Sequence, residues 1–310
     1  MIKTHHIVFG LVLTYCSFTS ANEKSLDFEA GYIVDGISKL QPSGLTECEG
    51  RLVFVSDKHE SEVFELALTK KGIAQAKVWK TIDNIPNPPE QKFGWWMEGK
   101  RFLAEVLGLT GGADWEGVAC DDQGNLFLAS EYYFSLLKVD LTGNKEWLVE
   151  DLYSKGREFG LFEKDNAYIE GVMIGENGIL LADEREPRGF VSIKNDIMSF
   201  YAQPGTHLSE ENLPYDYTGL DEYKGEIIAL ERNHYKVCKL SKDFKGNTCY
   251  SFRDVANSSN WGYVTGRYGL AEGLAVTDDF LWIIFDNNGD YRKANPEDSR
   301  STLLKFKNPF

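Results

Sequence analysis

The apolar residues of this chain fall in short runs bounded by Gly, Asn, Asp or Ser, and few recur at the period of a helix. Five runs share one frame: a polar residue, Gly, an aliphatic residue, a gap, a strand-like apolar run, then an acid. Ser43-Gly44-Leu45 leads through Arg51–Ser56 to Asp57, and Glu116-Gly117-Val118 through Asn125–Ser130 to Glu131. Glu170-Gly171-Val172 leads through Ile179–Ala182 to Asp183 and Glu184. Thr218-Gly219-Leu220 leads through Glu226–Leu230 to Glu231, and Glu272-Gly273-Leu274 through Leu281–Phe285 to Asp286. The glycine-to-acid interval is about 13 residues in each copy, the mark of a structural repeat.

Each copy continues into further strand-like runs, such as Ser135–Val139 then Glu146–Val149, and Lys236–Leu240 then Thr248–Phe252. Four short strands per repeat, joined by tight polar turns, predict an all-β fold, a single β-propeller of four-stranded blades. The repeats count five blades. The last repeat supplies a third strand, Thr302–Phe306, and then ends, so its fourth is expected from the N-terminal run Gly31–Val34. A sixth, degenerate blade within residues 81–114 is the alternative, although Arg101–Leu109 reads as a short helix.

In an antiparallel pair the start of one strand lies beside the end of the next. The acids that open the inner strands (Glu116, Glu170, Glu272) and those that close the second strands (Asp57, Glu131, Glu184, Glu231, Asp286) are therefore expected at one mouth of the channel. Crowded carboxylates raise one another's pKa, and a divalent cation relieves that repulsion. With Asn287 or Asn288 beside them, they form an oxygen set suited to Ca²⁺. Each acid also has local uses: capping a strand, accepting from a backbone amide, or pairing with Arg185 or Arg232. The insertions at 81–114, 151–169, 205–216, 255–271 and 287–300 are expected on the same face. There Trp95, Trp96, Trp261 and Tyr263 either wall a pocket or pack the loops down.

Charge and termini narrow the partners. A formal charge of −15 argues against nucleic acid and anionic membrane. Lys3, His5 and His6, an apolar run from Ile7 to Leu13, and small residues through Ala21 have the layout of a cleaved secretory leader, residues 1–21. That leaves 22–310 as the propeller, periplasmic or secreted, with no apolar stretch long enough to span a bilayer. A lipoprotein signal at Cys16 is the rival reading, opposed by the bulky Tyr15 before it. Cys238 and Cys249 flank a hairpin turn, so either a disulfide or two free thiols fits there. No zinc spacing, nucleophile elbow or phosphate-cradling loop occurs, and His59, His207 and His234 are too few for a histidine-rich metal site.

Three stretches carry a family resemblance: Asp114-Trp115-Glu116-Gly117-Val118-Ala119, Ala229-Leu230-Glu231-Arg232-Asn233, and Ala271-Glu272-Gly273-Leu274-Ala275 with Phe285-Asp286-Asn287-Asn288. In them the chain resembles the phytase-like propellers described as having esterase-like activity of phytase. It also looks like the SdiA-regulated propellers and, more distantly, the gluconolactonase and paraoxonase group. The resemblance implies an exported phosphoester or carboxylester hydrolase. Ser43 and Thr218 stand where other copies carry the acid, so the ring departs from a complete set. The expectation is a calcium-dependent hydrolase of small anionic esters or phosphoesters, with Arg185 and Arg232 on the substrate. The alternative is a non-catalytic propeller whose loop face binds a peptide, glycan or envelope partner.

Overall fold

Each repeat folds into a four-stranded antiparallel sheet, and the five sheets stand around one axis as propeller blades. The computed structural model describes residues 24–107, 112–203, 208–209, 212–265 and 270–310. The proposed leader and Cys16 lie outside them, as does His207. The first strand, β1 (Phe28–Asp35), serves the last blade. Blade 1 is β2 (Pro42–Cys48), β3 (Arg51–Ser56), β4 (Glu62–Leu68) and β5 (Ile73–Thr81). Blade 2 is β6 (Trp115–Cys120), β7 (Leu126–Ser130), β8 (Ser135–Val139) and β9 (Lys145–Trp147). Blade 3 is β10 (Ile169–Gly175), β11 (Gly178–Asp183), β12 (Gly189–Lys194) and β13 (Ile197–Ala202). Blade 4 is β14 (Gly219–Tyr223), β15 (Glu226–Glu231), β16 (Lys236–Leu240) and β17 (Gly246–Ser251). Blade 5 is β18 (Ala271–Val276), β19 (Phe280–Phe285), β20 (Thr302–Lys307) and, antiparallel to β20, β1.

The N-terminal strand therefore closes the ring, as the unpaired run Gly31–Val34 required. It also pairs in parallel with β5 at Ile33–Asp35, which joins the outer edges of blades 1 and 5. No strand forms between β5 and β6 among the described residues, which excludes the sixth blade there. That stretch carries instead a helix, α1 (Trp95–Val106), which begins earlier than the Arg101–Leu109 read from sequence; residues 108–111 lie outside the described ones.

Alternation within the strands explains why their apolar runs are continuous. Both faces of every blade are covered by neighbours, so successive side chains enter two different cores. Leu126 and Leu128 of β7 pack with Val53 and Val55 of blade 1, while Phe127 and Ala129 pack with Leu181 and Val191 of blade 3. Corresponding clusters fill the contacts of blades 3 and 4, 4 and 5, and 5 and 1.

The inner strands β2, β6, β10, β14 and β18 form the innermost ring, each beside the next, and the repeat glycines set its radius. A Cβ on Gly44 would lie 2.5 Å from the Val118 nitrogen, one on Gly117 2.7 Å from the Glu170 oxygen, and one on Gly273 2.5 Å from the Leu45 nitrogen. Gly171 and Gly219 approach their neighbours less closely, a Cβ there meeting the Leu220 side chain at 2.9 Å and the Leu274 nitrogen at 3.1 Å. None of the five has a positive φ, so what they supply is space for a neighbouring backbone.

Two disulfides add covalent ties. Cys238–Cys249 crosslinks directly paired residues of β16 and β17, resolving the hairpin alternative. Cys48–Cys120, unforeseen from sequence, joins the ends of the inner strands of blades 1 and 2. Both bonds suggest an oxidising compartment. No helix among the described residues is long and apolar enough to cross a membrane. Gly273→Ala, which drives a methyl into backbone, is expected to cost about 2–3 kcal/mol in urea unfolding. Gly99→Ala in α1, with nothing within 4 Å, should be neutral or stabilising, and equal effects at the two sites would contradict the glycine ring.

Candidate metal centre at the channel mouth

A repeated irregularity aims the inner-strand acids. In β6, β10 and β18 the register with the second strand shifts at one residue, and that residue is Glu116, Glu170 and Glu272 respectively. A bulge leaves its extra residue unpaired and re-aims the side chain. The second strands end just before or at the other acids: β3 at Ser56 before Asp57, β11 at Asp183 before Glu184, β19 at Phe285 before Asp286. The result is a cavity of about 290 Å³ lined by Asp57, Glu116, Glu170, Glu184, Glu272 and Asp286 with Arg185 and Arg232.

Within this mouth the charge is divided. On the side of blades 3, 4 and 5, Arg232 follows β15 and its guanidinium is almost wholly enclosed. Its Nε donates to Asp216 Oδ2 at 3.0 Å, one terminal nitrogen donates to both Glu272 oxygens at 2.6 Å, and the other donates to Glu184. Burial works against this charge, yet Glu272, Asp216 and Glu170 together raise the Arg232 pKa. Arg185 pairs with Glu184 and reaches the Asn166 carbonyl, keeping part of its side chain at the cavity rim.

The carboxylates of blade 2, with Glu170 of blade 3, Asp286 of blade 5 and Asp57 of blade 1, have less compensation. Glu116 and Glu170 make no hydrogen bond or ion pair among the described residues, and both carboxyls are pushed well above their ordinary range. For Glu116 the causes are burial, then Glu170, Glu131, Asp114 and Glu272; for Glu170, burial leads, opposed by Arg232 and reinforced by Glu272 and Glu131. Carboxylate oxygens of Asp114, Glu116 and Glu131 lie within 4.8 Å of one another. Glu131 accepts from the Tyr168 amide at 3.1 Å, but burial and Asp114 still push it up to about 7. Asp286, which accepts from the Asn288 amide at 3.0 Å, also rises to about 7, first through burial. Asp57 pairs with Lys58 and leaves its Oδ1 buried without a partner.

Most of the acids expected at the mouth are thus brought together, with four qualifications, the first being that Glu131 lies near Glu116 but lines an adjoining cavity with Asp114 and Tyr168. Glu231 is turned outward to Arg188 at 3.0 Å and does not line the cavity, because it is still part of β15 rather than beyond its end. The Asn287 amide nitrogen donates to the Asp290 carbonyl at 2.7 Å and to the Ser299 carbonyl, holding its own loop, and the residue does not line the cavity. Arg232 is engaged by three acids. Sequence reasoning overlooked Asp114 and Asp216 as members of the site. Each stands two residues before the polar residue of its repeat, ahead of Glu116 and Thr218, and that shared offset was the available signal. The aromatic set also divides: Trp95 and Trp96 are exposed, whereas Trp261 packs on Phe28 and Gly31, and Tyr263 is buried with its hydroxyl donating to the Arg300 carbonyl at 3.0 Å.

No family model and no curated protein matches the chain. Solved structures do resemble it. A glutaminyl cyclase from Myxococcus xanthus superposes with a TM-score of 0.52 at 11% identity, covering 92% of this chain and 98% of that one. A calcium-binding regucalcin from Agrobacterium tumefaciens gives 0.44 at 11% identity, covering 92% and 96%. A streptogramin B lyase gives 0.41 at 14% identity over 86% of this chain, which spans 65% of that protein's length. At these identities the likeness concerns the fold alone, a β-propeller.

Two consequences are measurable. Glu131 and Asp286 hold protons more tightly folded than unfolded, so in chelator-treated protein stability should be greatest below about pH 4 for these groups and fall as pH rises towards about 7. Urea unfolding across that range should show the decline, with a shallower slope in Glu131→Gln; identical slopes would contradict the assignment. Arg232→Met leaves Glu272 without its partner and Glu184 and Asp216 with only Arg185 and the Asn233 backbone amide, and should cost about 3–5 kcal/mol in urea unfolding at neutral pH.

Proposed function

We propose that this chain is an exported calcium-binding hydrolase of small anionic esters, phosphomonoesters first and carboxylesters second, akin to the phytase-like propellers its motifs resemble. The observation that carries the reading is that Glu116 and Glu170 line the channel mouth without a hydrogen bond or ion pair among the described residues, Glu116 repelled by its acidic neighbours and Glu170 repelled by Glu272 and Glu131 though partly offset by Arg232. Such a set of hard oxygens fits Ca²⁺. Glu116, Glu170, Asp114 and Glu131 would hold the ion, with Asp57 and Asp286 across the mouth. Bound calcium supplies Lewis acidity to a phosphoryl or acyl oxygen. Arg232 neutralises the far side and keeps Glu184 and Glu272 from competing for the cation. Arg185, at the rim, orients an anionic substrate through its remaining donors. Export to the periplasm or cell exterior accords with the two disulfides.

A second reading, a propeller that binds a partner without chemistry, is favoured by α1. Trp95 is 82% exposed and Trp96 61%, with Phe102, Leu103, Val106 and Leu107 also exposed, a patch larger than scattered surface apolars. Purified protein assayed on nitrophenyl phosphate and nitrophenyl acetate, with Ca²⁺ or chelator, separates the two. The hydrolase should turn over one class only with calcium, retain calcium by metal analysis, and lose at least about 100-fold in Glu116→Gln. Calcium at a hundredfold excess over Kd should add about 2.7 kcal/mol to stability. Absence of calcium-dependent turnover on both classes refutes the hydrolase. Partner capture that is lost in Trp95→Ala with Trp96→Ala and kept in Glu116→Gln establishes the binding module.

A further inference from the structure

Beside the mouth lies a larger groove, about 940 Å³, between blades 5 and 1. Its wall is the end of β1 and the loop 36–41, the turn Lys58–His59 after β3, and Asn287, Gly289 and 299–301. Two features distinguish it. The first is charge: Lys39, Lys58 and Arg300 face it against a single carboxylate, Asp35, in a chain of formal charge −15. Arg300 is largely committed, to Asp298 at 2.8 and 3.0 Å and to Asp35 at 2.6 Å, and Lys58 shares its ammonium with Asp57. Lys39, exposed on the loop, has no hydrogen bond or ion pair among the described residues. The second is an apolar strip: Ile37 and Leu40 rest partly buried on the core of blades 1 and 5 and turn their remaining surface to the groove.

The groove and the mouth share walls. Asp57 lines the mouth and Lys58 the groove; Asn288 lines the mouth and Asn287 the groove. A molecule lying in the groove has one end beside the carboxylates.

We propose that the groove is the recognition subsite for an amphipathic anion, an apolar ring or chain laid along Ile37 and Leu40 with its acidic substituent on Lys39 and Lys58. The substrate of the mouth is then an ester whose non-reacting half carries a second negative charge. The link to an ester rests on the hydrolase reading above, whereas the binding of the anion does not. Apolar contact supplies affinity, and the ammonium groups select the charged ligand over a neutral one.

Titration calorimetry with naphthalene-2-sulfonate, which has no bond to hydrolyse, tests this in the presence of chelator. The intact protein should bind one equivalent, more weakly as salt rises, and should bind neutral naphthalene-2-methanol about tenfold less tightly or worse. Lys39→Glu and Lys58→Gln should each weaken sulfonate binding by about tenfold. The melting temperature of Lys39→Glu should stay at the wild-type value, since that side chain is exposed and unpaired. Equal affinity for the neutral compound, or unchanged affinity in Lys39→Glu, overturns the subsite. Sulfonate binding without calcium-dependent turnover refutes the hydrolase and keeps the groove; turnover without sulfonate binding does the opposite.

Discussion

The fold depends on how closely five inner strands approach one another at the axis. Backbone meets backbone there, because a Cβ at Gly44, Gly117 or Gly273 would come within 2.7 Å of a neighbouring main-chain atom. A ring drawn this tight leaves little room in the channel, so whatever side chains open the inner strands must share it. Side chains that could not share it would splay the blades and expose the five cores between them. The repeat glycine and the acid before it thus form one device. The glycine draws the strands together, and the bulge at Glu116, Glu170 and Glu272 turns the preceding side chain out of the sheet and towards the mouth.

That closeness creates an electrostatic problem, which the chain answers differently on its two sides. Burial and mutual repulsion disfavour the charged forms of Glu116, Glu170, Glu131 and Asp286. Around blades 3 to 5 the answer is a cation built into the chain: Arg232 places a guanidinium among Asp216, Glu184 and Glu272. Its planar fork serves three acceptors at once, which an ammonium on a flexible stem does less well. Around blades 1 and 2 no such side chain arrives. Lys58 reaches Asp57 from outside the mouth, and Asp114, Glu116 and Glu131, with Glu170 of the adjoining blade 3, keep much of their repulsion, eased at Glu131 by Arg185 and at Glu170 by Arg232.

Much of this was legible because it repeats. The period gave the blade count, and the missing fourth strand of the last blade pointed to the N-terminal run. Antiparallel pairing placed Asp57, Glu116, Glu170, Glu184, Glu272 and Asp286 at one mouth. What stayed hidden depends on relations between different blades or on a single residue of offset. Cys48 and Cys120 are far apart in sequence and meet only because the ends of neighbouring inner strands are adjacent, a pairing that needs blade order as well as blade content. Glu231 faces Arg188 because β15 runs through it, whereas Glu184 lies one residue beyond β11. Asn287 reads as a ligand from its place beside Asp286, but its amide nitrogen ties down its own loop and the residue lines the neighbouring groove rather than the mouth. Asp216 is the converse case, an acid outside the shared frame that restores to blade 4 the charge that Thr218 lacks.

The substitution at Thr218 follows from the same geometry. Its buried hydroxyl donates to the Ala271 carbonyl at 2.7 Å, tying blade 4 to the start of β18. A glutamate there would bring another carboxylate towards Glu170 and Glu272, where Arg232 is already divided among three acceptors. Moving the acid two residues back, to Asp216, keeps it behind the guanidinium: Asp216 Oδ2 takes Nε at 3.0 Å while Oδ1 takes the Asn233 amide at 2.9 Å. Held from behind in this way, Arg232 points its two terminal nitrogens forward to Glu184 and Glu272. Blade 4 therefore contributes the internal cation, and blade 2, with Asp114 and Glu116 both present at the corresponding offsets and no arginine after Glu131, contributes the densest group of uncompensated oxygens. The asymmetry between these two blades, more than the number of acids in the ring, would decide on which side of the channel the proposed cation sits.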